Sequence, residues 1–531
     1  MTGVAALSAK GYRPYVPVIV ESASARKTAL AVAVASLAIA ALGCHRSAPA
    51  PESPAVTADV ASYGAAAARI ADATKTGEGA FRRVADLADL FGPRMTGSPA
   101  LERAIVWAHD AFLADGQESV ALDPVRVPSW ARGKESAEIV TPQPRRLAVL
   151  GLGGSVATPP GGITAEVVVV SSFDELAKLG SSVSAGSSGS AGSSGSAGSS
   201  GSSGPAGSAL RGKIVLFNHP FPTKVPNAAA GYGATIEYRL EGATRAAAFG
   251  ASAALVRSLA SASLGAPHTG AMKYGAGPKI PTAALSVEDA ELVARLAARG
   301  PVALHLQMED SPGPEAPSFN VLAELRGREH PEEIVVISAH IDSWDVGQGA
   351  QDDGAGVAIV MESLATLRRL GLVPRRTIRA VLYTSEETGA VGGKTYAQAH
   401  AAELPRHVAA FETDIGAGTP LGFRIDAAPA AVAELRGLVA LVAPLGATNI
   451  DTGFSGSDIN AMRPAGVPLL GLFSDPTHYF DVHHSVADTL DKIDPPTLGR
   501  NVAAMATMAY VLADRQTRWP VSPPPAPEHK P

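Results

Sequence analysis

The sequence predicts an α/β protein: a mostly parallel, mixed central sheet flanked by helices, interrupted by a smaller inserted α/β domain. Two patterns carry that prediction. From Asn320 onward, apolar strand-like runs alternate with long helical stretches, as in βα units. Between residues 213 and 298 a shorter alternation of strand, helix, strand and helix occurs, and it closes near Pro317. A length of 531 residues fits two domains plus tails.

At the N-terminus, Arg26 and Lys27 precede an uncharged apolar run, Ala29 to Leu42, and then Gly43-Cys44. The run has signal-peptide length and is short for a bilayer span. A small residue before a lone cysteine resembles a bacterial lipobox with Cys44 as the lipidated residue, although Ala41 stands where that motif usually has leucine. Residues 1–44 are therefore expected to be a signal segment, of the lipoprotein kind or an ordinary export signal. The first 25 residues are long for such a segment, so the start codon is expected downstream. Export to the periplasm or cell envelope follows, with membrane attachment only through Cys44. Residues 45–62, rich in Pro and Ala, read as a flexible tether.

The first part of the larger domain spans residues 63–124. Phe81, Val84, Leu87 and Leu90 recur at three-residue spacing, so one helix is expected from Ala65 to Leu90, ended by Phe91-Gly92-Pro93-Arg94. A second runs from Ala100 to Asp115 and stops at Gly116. The insert, residues 125–317, opens with short strands, including Ala165 to Val170. Within it, Ser181 to Ser208 is nearly pure Ser, Gly and Ala and is expected to stay disordered, having too little apolar surface to offset its ordering entropy. A strand (Lys213 to Asn218), a helix (Gly242 to Phe249), a strand (Ala253 to Arg257) and a helix (Val287 to Ala298) follow.

In residues 318–515 the larger domain resumes. Glu333 to Ala339 is a buried-strand run that delivers His340, and a helix from Gly354 to Leu370 is closed by Gly371. Thr377 to Thr384 delivers Glu386 and Glu387, and Val408 to Glu412 leads into Asp414. Ligands gather beyond the carboxyl ends of strands in open α/β sheets. Three strands ending in metal-capable residues weigh more than any one motif. Residues 516–531 form a Pro-rich tail.

Composition narrows the function. A net charge of −6 gives no electrostatic footprint for nucleic acid. The single cysteine, Cys44, excludes an intrachain disulfide and a Cys-based zinc site. What stands out are two histidines and three carboxylates: His340, Asp352, Glu387, Asp414 and a histidine near 484. This mixed N/O set suits Zn²⁺, and five ligands suffice for two ions sharing a carboxylate and a water.

Each position has an ordinary reading beside the functional one. His340 and Asp342, two apart on a strand, project to one side, so Asp342 can orient the imidazole or a neighbouring group. Asp352 fits a bridging carboxylate or the N-cap of a helix that opens Asp353-Gly354-Ala355-Gly356. Paired carboxylates at Glu386-Glu387 repel unless a cation separates their roles; Glu387 is assigned as ligand and Glu386 as general base, beside the ordinary reading of a solvated loop. Asp414 fits a ligand or a turn aspartate. His478, His483 and His484 lie too close together for spacing to choose among them, and Asp488 could fix the other nitrogen of His484.

In order, His-x-Asp, Asp-Asp-Gly-x-Gly, Glu-Glu, Asp and His-Ser-x-x-Asp resemble the co-catalytic zinc metallopeptidases of the aminopeptidase and glutamate carboxypeptidase type. Longer runs carry the resemblance too: His340 to Gly349, Pro267-His268-Thr269-Gly270, Lys279-Ile280-Pro281-Thr282-Ala283, Phe91 to Arg94, Thr158-Pro159-Pro160 and Gly162 to Val167. It covers about Phe81 to Asp514. The resemblance implies that the insert is a protease-associated domain, that Asp352 rather than Asp353 bridges, and that His484 rather than His483 is the ligand. It further implies a homodimer, a cis peptide between Asp352 and Asp353, and an exopeptidase acting on the free N-terminus of short peptides, especially dipeptides. Where many relatives carry a histidine after Ser-Asp, this chain has Ile459 after Ser457-Asp458, which leaves the oxyanion-stabilising group unassigned.

The mechanism so implied has two zincs ~3.5–4 Å apart, bridged by Asp352 and a water. His340 and Asp414 complete one site, Glu387 and His484 the other, and Glu386 moves the proton. The competing readings are an aminopeptidase on longer peptides, a one-zinc glutaminyl cyclase, and a catalytically silent binding relative.

Overall fold

The computed structural model describes residues 54–182 and 207–519. The expected signal segment with Cys44, the core of the Ser/Gly loop and the Pro-rich tail from residue 520 lie outside the described residues.

Four helical segments lead in: Pro54–Thr74, Glu78–Asp86, the π-turn Leu87–Phe91 and Pro99–Ala114. The first begins inside the stretch expected to be a tether, because Val56 and Ile70 are buried in the main core. The single helix expected from Ala65 to Leu90 is instead two, broken at Gly77 with φ 68°. A Cβ there would meet the carbonyl oxygen of Pro495 at 1.7 Å, so the close pass of a C-terminal helix, Pro495–Asp514, dictates the break. Helix Pro99–Ala114 is capped by the Ser98 hydroxyl, which accepts from Leu101 N–H, with proline at the first turn.

The chain enters the first sheet through β1 (Glu118–Ala131). It then leaves to build a second sheet from β2 (Glu135–Thr141), β3 (Arg145–Leu147), β4 (Val149–Gly151), β5 (Ile163–Val170), β6 (Ile214–Phe217), β7 (Ala253–Arg257), β8 (Thr282–Leu285) and β9 (Ala303–Met308). It returns through β10 (Ser311–Leu325), β11 (His330–His340), β12 (Arg376–Tyr383), β13 (His407–Glu412), β14 (Pro420–Asp426), β15 (Asn449–Thr452) and β16 (Leu469–Ser474). The insert boundaries expected at 125 and 317 fall inside β1 and β10, which pair antiparallel in the first sheet.

The first sheet has the order β1-β10-β12-β11-β13-β16-β14-β15. Its centre is parallel: β11 pairs with β12 and β13, and β13 with β16. Antiparallel pairs join β10 to β12 and β14 to β16. The register sets His340 opposite Tyr383 and Ser338 opposite Glu412, so three neighbouring strands end at one level. Helix Ala355–Arg369 follows from β11 and is buried from Ala355 to Leu367, with Val360, Met361 and Leu364 fully enclosed. Leu364→Ala there would cost ~2–5 kcal/mol through lost transfer energy and a cavity.

The second sheet has the order β3-β2-β9-β5-β6-β7-β8-β4, parallel through β5-β6-β7-β8 and antiparallel outside. Strand alternation splits its apolar residues between two clusters. Val215, Phe217 and Val256 pack with Tyr238, while Ile214, Leu216 and Leu255 pack with Val293.

Candidate metal centre

The site lies where the parallel strands of the first sheet end. His340 is the last residue of β11, Glu386 and Glu387 follow β12, and Asp414 follows β13. Thr413 N–H donates to Ser338 O (3.0 Å), which ties the Asp414 segment to β11. Ser385, at φ 63°, turns the chain after β12. Asp352 sits in the loop before helix Ala355–Arg369, and the Asp352–Asp353 peptide is cis. His484 follows the short helix Tyr479–Val482, also at positive φ.

These residues converge on Asp352. His340 Nε2 is 3.2 Å from Asp352 Oδ1 and 3.3 Å from Asp414 Oδ1. On the other side, His484 Nε2 is 3.1 Å from Asp352 Oδ2 and 3.0 Å from Glu387 Oε2. His483 Nε2 stands 3.5 Å from Asp352 Oδ2 and stacks on the His484 ring. His478 pairs with Asp481 at the surface, away from the cluster. Among three neighbouring histidines, His484 alone faces two of the predicted carboxylates.

The supporting contacts fix each group. His340 Nδ1 faces the main-chain carbonyl of Asp342 at 3.0 Å, and His484 Nδ1 faces that of Thr269 at 3.3 Å. Both Nδ1 atoms are thus turned outward to a carbonyl, with Arg239 Nη1 also 3.4 Å from His484 Nδ1, and each Nε2 faces into the cluster. The Asp342 carboxylate accepts N–H from Glu386 and Glu387 and the Thr96 hydroxyl at 2.9 Å. Asp353 accepts from His340 N–H and Gly356 N–H, so its oxygens serve the backbone. Asp488 does not meet the His484 ring as expected. Its carboxylate instead accepts the N–H groups of Ala350, Gln351 and Asp352, which aims the Asp352 loop.

The donor set fits divalent cations. Asp352 Oδ2 and Glu387 Oε1 are buried with no hydrogen-bond donor. Such atoms are costly unless a cation satisfies them. Burial and then like charges drive Glu386 well above the usual carboxylate range, and burial raises Glu387 to about 7. Asp352 moves the other way: burial opposes it, but the His340 and His484 rings beside its oxygens hold it well below normal. Positive charge brought into the cluster favours the ionised carboxylates. Among the described residues, the groups whose ligand atoms lie close enough to hold an ion are His340–Asp352–Glu387, His340–Asp353–Asp414 and Asp352–His483–His484. Together they contain all five predicted ligands.

Several contributors carry no separate signal in the sequence. Arg94 is wholly buried and donates to the carbonyls of Gly92, Ile341, Gln348 and Gly349, bracing the loop between His340 and Asp352. Trp344 Nε1–H donates to Glu387 Oε2. Both lie in runs that carried the resemblance, Phe91 to Arg94 and His340 to Gly349, but spacing assigns neither a role. A cavity of about 100 Å³ opens beside Asp414, lined by Ile415, Arg424, Phe454, Ser455 and Phe473 among others.

The model of peptidase family M28 matches residues 320–509. The chain is similar to carboxypeptidase Q of Mus musculus, 41% identical over 444 residues, covering 83% of this chain and 87% of that protein. Among solved structures, a peptidase M28 precursor from Shewanella amazonensis SB2B is 35% identical, with a TM-score of 0.79 over 88% of this chain and 100% of that one. A zinc aminopeptidase from Bacillus subtilis shares the fold at 17% identity, with a TM-score of 0.58 over 84% of this chain and 98% of its own.

Proposed function

The chain belongs to peptidase family M28, and from that premise we propose that it is a zinc-dependent exopeptidase that hydrolyses short peptides, dipeptides foremost, from a free N-terminus. The observation that carries this reading is the convergence on Asp352 of two histidine Nε2 atoms, with Glu387 and Asp414 in the same cluster.

In this reading His340, Asp414, Glu387, His484 and Asp352 would hold the zinc, His340 and Asp414 on one side of Asp352 and Glu387 and His484 on the other. Zinc held there would supply Lewis acidity and lower the pKa of a water beside it. Glu386, partly exposed beside Asp414 and His340, takes the water's proton and passes it to the leaving amine. Asp342 keeps that glutamate in place through the backbone of residues 386 and 387. The cavity beside Asp414 receives the side chain of the N-terminal residue. The second sheet corresponds to a protease-associated insert, and the apolar run before Cys44 directs export, with Cys44 as a lipid anchor. A homodimer is part of the same proposal.

The test is metal content by mass spectrometry, with dipeptide hydrolysis before and after chelation. About two zincs per chain, activity restored by zinc, and no cleavage of N-acetylated dipeptides are expected. A metal-free chain that zinc cannot activate would overturn the reading. Equal or faster turnover of pentapeptides would replace dipeptidase with aminopeptidase.

A further inference from the structure

The metallopeptidase reading uses the first sheet and leaves one run of the insert that carries the resemblance, Pro267 to Gly270, without a task. That run touches the centre. Thr269 N–H donates to His484 O at 2.9 Å, and Thr269 O faces His484 Nδ1 at 3.3 Å. The same carbonyl accepts from Arg239 Nη1 at 3.3 Å, and that Nη1 also lies 3.4 Å from His484 Nδ1. Arg239 is 6% exposed, lies over the Tyr232 ring and leaves its Nε without a partner, so it is held here at a cost. Gly270 makes room for it: a Cβ at that position would lie 2.2 Å from Arg239 Nη1.

The Thr269 side chain is anchored as firmly. Its hydroxyl donates to Gly151 O at 2.7 Å and accepts from Arg132 Nη2. Arg132 in turn grips Asp345 through two 2.8 Å bonds, and Asp345 belongs to the loop that follows His340. His484 needs such support because its φ of 60° is unfavourable for a residue with a side chain.

We propose that Thr269 and Arg239 are positioning residues that fix the ring orientation of His484, so that metal retention at the His484–Glu387 position depends on the inserted segment. A metal-bound histidine needs its second nitrogen held by an acceptor, and disturbing that acceptor typically weakens metal affinity 10–100-fold. The proposal rests on the reading that His484 binds metal.

The test is zinc retained per full-length chain, by mass spectrometry, after dialysis against graded chelator. Thr269→Val, Thr269→Ser and Arg239→Met are compared with wild type. Thr269→Val and Arg239→Met are expected to lose one zinc at about tenfold lower chelator concentration while the other zinc leaves as in wild type. Thr269→Ser, which keeps the hydroxyl, is expected to match wild type. Excess zinc should restore kcat in Thr269→Val, which a general loss of structure would not allow. If both variants fold and release both zincs as wild type does, the proposal is overturned. If Arg239→Met does not fold, Thr269→Val decides alone. A wild-type chain without zinc would sink the metallopeptidase reading, and the proposal with it.

Discussion

Asp342 accepts the backbone N–H of Glu386 at 3.1 Å through one carboxylate oxygen, while the other receives Glu387 N–H at 3.3 Å. One side chain at the end of β11 thus sets the path of the chain that carries the proposed base and a proposed ligand. Asn at 342 keeps the shape but turns one acceptor into a donor facing an N–H. Asp342→Asn is therefore expected to retain zinc and to lower kcat ~10–100-fold, as loss of an orienting contact does. Zinc stoichiometry and steady-state kinetics on one sample decide it. An unchanged kcat would show that the 386–387 segment holds itself in place.

Glu386 has a different expected signature. Its amide replacement keeps size and polarity but cannot take a proton. Glu386→Gln is expected to bind the same number of zincs and to lose ~10²–10⁴-fold in kcat with little change in KM. Dipeptide cleavage at the wild-type rate in a zinc-loaded Glu386→Gln sample would remove Glu386 from the mechanism.

Acid stability can be followed through His407. This residue is 1% exposed at the start of β13. Its Nδ1–H donates to Glu403 O at 3.0 Å, and its Nε2 accepts from the Tyr396 hydroxyl at 2.9 Å, which itself receives Arg379 Nη1. Burial, with the nearby Arg379 cation, lowers its pKa from 6.5 to about 4, against the pull of Glu403. The folded chain binds this proton less readily than the unfolded one, so stability from His407 is complete above pH 6.5 and is lost as pH falls towards 4. The shift corresponds to about 3 kcal/mol over that window. Thermal melts from pH 7 to 4.5 should fall less steeply for His407→Gln than for wild type. Parallel slopes would show that His407 is not an acid trigger.

How much of this was legible in the sequence depends on the length scale of each feature. Strands β11, β12 and β13 and the helix after β11 are built on mainly apolar runs with clear ends, and the metal-capable residues sit at those ends, so periodicity and punctuation suffice. The break at Gly77 is different: it follows from Pro495, more than 400 residues away, and local pattern cannot hold that information. The same holds for Asp488, whose carboxylate is claimed by the backbone of residues 350–352 rather than by His484 four residues back. Likewise, Arg94 is one arginine among many until the loop it braces is in view.

Substrate preference can be tested through Arg424. Its guanidinium lies 4.0 Å from the Phe473 ring centre in the wall of the cavity beside Asp414 and has no hydrogen-bond or ion-pair partner among the described residues. Desolvation lowers its pKa, and Asp451 only partly offsets that. A half-buried cation without a partner gains when a carboxylate enters its cavity. Dipeptides with Glu or Asp as the first residue are therefore expected to have a higher kcat/KM than isosteric Gln or Asn dipeptides. Arg424→Met should erase that ratio, a change of about tenfold, while leaving Ala-first and Leu-first peptides within about twofold. The variant keeps an unbranched side chain against Phe473, so the cavity wall stays filled. If Glu-first and Gln-first peptides turn over equally in the wild type, Arg424 contacts no substrate side chain. If the ratio exists but survives Arg424→Met, the discriminating group lies elsewhere in the cavity, and the exposed Phe454 rim becomes the next position to vary.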